Sequence, residues 1–170
     1  GVKAKTTDED AINAARYALV ELVNLHDDSL VFEAIHRVIF DIDADNFVAE
    51  LEKICTECDG KDGQVFKIVT SKGDKTLRID NPSANLTVGS VQNFIDSYIS
   101  KFGGRVDYIH GEDVVRQLSE DKTSCGILLD AMDKNDLYKT VVLDGALPRK
   151  TFSMGDACDK RFYNEARIIN

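Results

Sequence analysis

Apolar and polar positions along the chain change period several times, and each change marks a boundary between elements. Residues 16–25 form an almost unbroken apolar run of strand length, interrupted by Glu21, as expected of a central strand covered on both faces. A turn at His26, Asp27, Asp28 and Ser29 leads into residues 30–41. There Leu30, Phe32, Ala34, His36, Val38 and Phe40 share one side of an extended chain. That stretch is long for one strand, so two short strands with a break between Ala34 and Arg37 are expected. Asp43 can cap a helix reaching to about Cys55, with Phe47, Leu51 and Ile54 on its apolar stripe. Residues 64–70 and 75–80 read as a hairpin in which Gly73 supplies the left-handed turn conformation.

The clearest helix follows Thr87. Val88, Val91, Ile95, Tyr98 and Phe102 recur at three- and four-residue spacing, and Gly103 stands where a helix-ending glycine belongs. Residues 105–109 predict a strand, 112–119 a short helix and 125–129 a buried strand. Asp133 is placed to cap a helix carrying Leu137, Tyr138, Val141 and Val142, ended by Gly145. Ser153 and Asp156 have the spacing of a capping box, with a last helix running to about residue 168. Residues 1–14 are polar and are expected to be disordered or loosely helical. One hairpin, interspersed helices and no βαβ regularity predict a single α+β domain over residues 15–170. Its sheet is expected to be mixed and largely antiparallel, with helices packed against it.

Composition adds limits rather than a function. Hydrophobic residues make up 43% and charged residues 30% of the 170, the balance of an ordinary globular chain. With 21 basic against 30 acidic residues the formal charge is −9, which disfavours a nucleic-acid partner. No apolar run approaches the roughly 20 residues that cross a bilayer, so no membrane partner is expected. The absence of a secretory pattern predicts a cytoplasmic protein with reduced thiols. Cys55 and Cys58 form a CxxC pair, but no second ligand pair accompanies them, so neither a metal nor another cofactor is expected.

Two constellations carry candidate chemistry. Arg149 and Lys150 stand just before Ser153 and Gly155, where the start of a helix would offer free amides and a positive dipole end to an anion. Arg37 is a further candidate for the same anion. The bland alternative is that Ser153 only caps, and Asp156 would oppose an anion there. The second constellation is Glu21 with His36 and Arg37. A carboxylate in a buried strand needs a partner, and Glu21 with His36 could act as a general acid/base pair. A structural ion pair between strands accounts for the same residues.

Several of these segments also carry a resemblance. Residues 17–24 with Ala34, Ile35, His36 and Arg37, and above all residues 132–145 and 147–155 continuing through residues 160–163 and 165–167, are similar to a bacterial family of domain of unknown function 1015. The resemblance implies that this chain is the C-terminal part of a longer protein. Members of that family carry an upstream Asp-Gly-(His/Asn)-His motif of ParB-like type, which is absent here. It also implies a link to serine metabolism, hence a small phosphorylated or carboxylated metabolite as partner. The reading of function is therefore a ligand-binding or catalytic-support domain for such an anion. The alternative is a structural or interaction domain that packs on the missing N-terminal domain or forms a homodimer.

Overall fold

The computed structural model describes residues 22–60 and 62–154. The disordered or loosely helical segment expected over residues 1–14, residues 16–21 of the strand expected over 16–25, and the last helix expected to about residue 168, together with Glu21 and Gly155, lie outside the described residues. Among the described residues the order of elements is β1 (Phe32–Ala34), β2 (His36–Phe40), α1 (Ala44–Leu51), β3 (Cys55–Glu57), β4 (Val65–Thr70) and β5 (Gly73–Ile79). These are followed by α2 (Thr87–Phe102), β6 (Arg105–Ile109), α3 (Glu112–Leu118), β7 (Ser124–Leu128), α4 (Asp136–Asp144) and β8 (Phe152–Met154).

Six strands form one sheet in the order β3-β5-β4-β7-β2-β6, and every neighbouring pair is antiparallel. The fold is thus α+β, as the interspersed pattern predicts. The pleat sends alternate residues to opposite faces. On one face Ile39, Phe66, Ile68, Leu77, Cys125 and Ile127 meet Phe47 and Leu51 of α1 and Val91, Ile95 and Tyr98 of α2. On the other, Val38, Val69 and Leu128 pack with Val115 of the short helix α3. Gly126 makes that second contact possible: a Cβ there would stand 2.5 Å from both Ser119 Oγ and Val115 Cγ1.

Local chemistry explains most of the boundaries. Asp43 Oδ1 accepts from the amides of Asp45 and Asn46, fixing the start of α1. Gly103, at φ 84°, ends α2 with its amide on Ile99 O. Ile35 breaks the extended stretch after Phe32, so that β1 leaves the large sheet and pairs with β8 in a separate two-stranded ribbon. Phe32 and Phe152 stack at 3.9 Å across that ribbon.

Three local expectations need correction. Residues 22–25 are irregular, not strand, and Leu22 and Val23 face solvent; the chain there turns twice, with Asp27 N–H on Asn24 O and Leu30 N–H on Asp27 O. Ser153 lies inside β8 opposite Glu33 rather than in the cap of a helix. The helix expected to reach about Cys55 ends at Leu51, and Cys55 instead begins β3 on a sheet edge, where burial pushes its thiol up to about 11.

Candidate functional site

Adjacent residues of β2 reach opposite faces of the sheet, and this separates His36 from Arg37, which the sequence groups with Glu21 in one constellation. Arg37 points to the α2 face and is fully buried. Its Nε donates to Gln92 Oε1 at 3.5 Å, its Nη1 to Ile35 O, and its Nη2 to the carbonyls of Arg149 and Lys150 at 3.2 and 3.0 Å. Among the described residues no carboxylate pairs with it. Burial pushes its guanidinium down to about 10; Tyr108 opposes that shift and the charge of Arg149 adds to it.

Arg149 joins the same cluster from outside. Its Nη2 donates to Asp96 Oδ1 at 2.9 Å, and that oxygen also accepts from Gln92 Nε2 at 2.8 Å. Arg37 and Arg149 both lie over the ring of Tyr108, at 5.1 and 5.8 Å from its centroid. The strap of residues 146–151 is thereby bound to the sheet by Arg37 and to α2 by Arg149. Pro148 passes close to Gly89, where an added Cβ would stand 3.5 Å from Pro148 Cγ. Lys150 takes a left-handed backbone, φ 55°, with an exposed side chain. The structure brings Arg37, Arg149 and Lys150 together through the latter two residues' carbonyls.

His36 points the other way, to the α3 face. Its Nδ1 accepts the Leu129 amide at 3.2 Å. A ring nitrogen that accepts a backbone N–H carries no proton, so a neutral imidazole holds its proton on Nε2. Burial lowers the pKa of His36; Glu112 and Asp130 oppose that, and the charges of Arg37 and His110 reinforce it. The imidazole lines a groove of about 240 Å³ shared with Asp59, Lys67, Thr76, Glu112 and Asp130. Glu112 is held by Arg116, whose Nε and Nη2 both donate to its Oε1.

Around the end of β7 this groove continues into a second hollow of about 230 Å³; both are lined by Gly60, Val65, Leu129 and Asp130. The second hollow is bounded by Thr87 and Val88 of α2 on one side and by Met132, Asp133 and Thr151 on the other. Chemically, the groove offers a positioned neutral imidazole, the carboxylates of the exposed residues Asp59, Glu112 and Asp130, and one ammonium, Lys67. Among the described residues no group of three or more His, Cys, Asp or Glu is arranged to hold a metal ion. No described helix is long and apolar enough to cross a membrane.

Sequence reasoning reached His36 and missed its surroundings. Asp130 had a local signal, a carboxylate directly after a buried strand. Lys67, Gln92, Asp96 and Tyr108 had none, because only strand order and helix placement bring them to these clusters. Comparison with known proteins adds a family and no activity. No curated protein and no solved structure matches the chain. A family model described as "Protein of unknown function (DUF1015)" matches residues 2–98, more than half of the chain, and the protein belongs to that family.

Proposed function

We propose that this chain is a ligand-binding or catalytic-support domain that holds a small metabolite in the groove beside His36, with the imidazole as its proton-transfer group. The carrying observation is the Leu129 N–H to His36 Nδ1 bond, which fixes the ring and leaves Nε2–H as the available donor. A burial-lowered pKa keeps the ring neutral near pH 7, the state needed to give and recover a proton.

The groove's charges narrow the ligand class. Asp59, Glu112 and Asp130 outnumber Lys67, so a bare phosphate or carboxylate meets net repulsion. A ligand with an amino group as well as an anionic group matches both signs: the ammonium beside Asp130, the anion beside Lys67. Phosphorylated or carboxylated amino acids have that character, in keeping with the expected metabolite. The anion role assigned to Arg37, Arg149, Lys150, Ser153 and Gly155 makes a different demand, since Arg149 would have to release Asp96.

Amide and imidazole NMR of the chain titrated with phosphoserine, inorganic phosphate and AMP tests the proposal. Phosphoserine is expected to move His36, Leu129 and Asp130. Shifts confined to residues 149–155 would transfer the site to the Arg149–Lys150 strap, and no shift with any probe would refute both seats. A second reading, an interaction domain, has its own support. Tyr138, Val142 and Leu143 of α4 are all more than 60% exposed, with Leu22 and Val31 also open to solvent. Sedimentation equilibrium checks it: a concentration-dependent dimer supports this reading, and a monomer up to about 100 μM counts against the homodimer.

A further inference from the structure

Helix α4 is mounted the wrong way round for a core helix. A helix normally buries its apolar stripe and turns polar residues outward. Here the one buried residue of α4 is Thr140, whose hydroxyl accepts from Asn85 Nδ2 at 2.9 Å. One turn on, Asp144 Oδ2 accepts the Asn85 amide at 2.6 Å. Tyr138, Val141, Val142 and Leu143 face solvent. The flanking loops are attached in the same manner. Before the helix, Lys134 Nζ donates to Asp27 O at 2.7 Å. After it, Arg149 pairs with the exposed Asp96, and Arg37 holds two backbone carbonyls. Both ends of the segment are firmly seated, for Leu129 and Thr151 are buried. Its two stems also supply one wall of the second hollow, the continuation of the groove around β7: Asp130, Met132 and Asp133 before the helix, and Thr151 after it.

We propose that residues 130–150 form a lid over the second hollow, where it opens from the groove, hinged next to Leu129 and Thr151 and latched by polar contacts. Water can replace every one of those contacts when the segment lifts, whereas lifting α1 or α2 would expose the apolar face of the sheet. The segment therefore opens at a free-energy cost well below that of global unfolding. Opening moves the wall that faces Thr87 and Val88 while leaving His36 and its bond to Leu129 on the body of the sheet. The lid rests on the groove reading only for what it covers; its motion stands on the attachment chemistry alone.

Hydrogen exchange followed by mass spectrometry on the full chain reads the motion without a ligand. Amides of α4 are expected to exchange together, at least about 100-fold faster than those of α2 and β7. A Thr140→Val, Asp144→Ala double variant, which removes both latches to Asn85, is expected to speed exchange over residues 130–150 several-fold further while β7 is unchanged. In a Thr87→Cys background, alkylation of the new thiol by iodoacetamide should rise with the same double substitution. Exchange of α4 in step with the sheet core would overturn the lid, and so would an alkylation rate indifferent to the latches. Phosphoserine added to the same exchange experiment separates the two ideas. Slowing over 130–150 supports both. Fast exchange that phosphoserine leaves untouched upholds the motion and removes phosphoserine from the groove reading.

Discussion

Replacing Arg37 with methionine keeps a side chain of similar length and removes the donors that bind the strap to the sheet. The structure gives two opposing magnitudes. Burying the guanidinium lowers its pKa to about 10, a penalty on the order of 3 kcal/mol against the charged side chain at about 1.4 kcal/mol per pH unit. In return, a charged donor contributes about 1.5–3 kcal/mol for each good hydrogen bond. Arg37 makes three such bonds, to the carbonyls of Ile35, Arg149 and Lys150, besides a long contact to Gln92. The bonds win, and methionine leaves those carbonyls short of a donor. Arg37→Met is expected to lower stability by about 2–4 kcal/mol, the middle of the range for disrupting a buried polar network. Urea unfolding followed by far-UV circular dichroism measures it, as a lower midpoint with an unchanged slope. Arg37→Lys, which keeps the charge but lacks the forked geometry, should fall between the two. An Arg37→Met protein as stable as the parent, or more stable, would show that the burial cost dominates and that the strap is held by other contacts.

The remaining expectations are smaller and independent. His36 has a folded pKa below its unfolded one, so the folded state binds fewer protons; its contribution is fully present above the unfolded pKa near 6.5, declines below it and is lost as pH falls through the folded pKa. Comparing parent and His36→Gln urea midpoints between pH 7.5 and 5 should show a flatter profile for the variant, and parallel profiles would contradict the assignment. Gly126→Ala must displace both Ser119 and Val115 of the α3 face and should cost about 1–3 kcal/mol by thermal unfolding. Asp43→Ala removes the cap of α1 and should cost about 1 kcal/mol, whereas Asp43→Asn should cost less.

Where residues 22–154 were legible, short-range physics decided the outcome. Asp43 caps α1 through its own side chain, Gly103 ends α2 in a left-handed conformation, and the hairpin of β4 and β5 closes across Thr70 and Gly73. None of these needs knowledge of a distant segment. The hairpin loop proved tighter than its polar composition implied, because Gly73 already pairs with Thr70.

What failed depended on tertiary placement. Ser153 has the spacing of a cap, yet its backbone finds a ladder partner in β1, and a strand pairing outranks a local capping preference. Leu137, Tyr138, Val141 and Val142 have helical spacing and do form a helix, but the body of the protein offers that helix Asn85 rather than an apolar surface. The candidate site divides along the same line. His36 and Arg37 stand out in sequence as polar residues in an apolar strand. Their separation onto two faces follows from the pleat, and the partners of each arrive from α2, β7 and the strap, far away in sequence.

The tautomer of His36 tests the account at its centre. A long-range ¹H–¹⁵N correlation spectrum of the imidazoles at pH 7 reports which ring nitrogen carries the proton. A neutral ring with an unprotonated, hydrogen-bonded Nδ1 and a protonated Nε2 is the predicted result, since Leu129 N–H already occupies Nδ1. A proton on Nδ1, or a ring that is fully charged at that pH, would contradict it and remove the proton-transfer role from this groove.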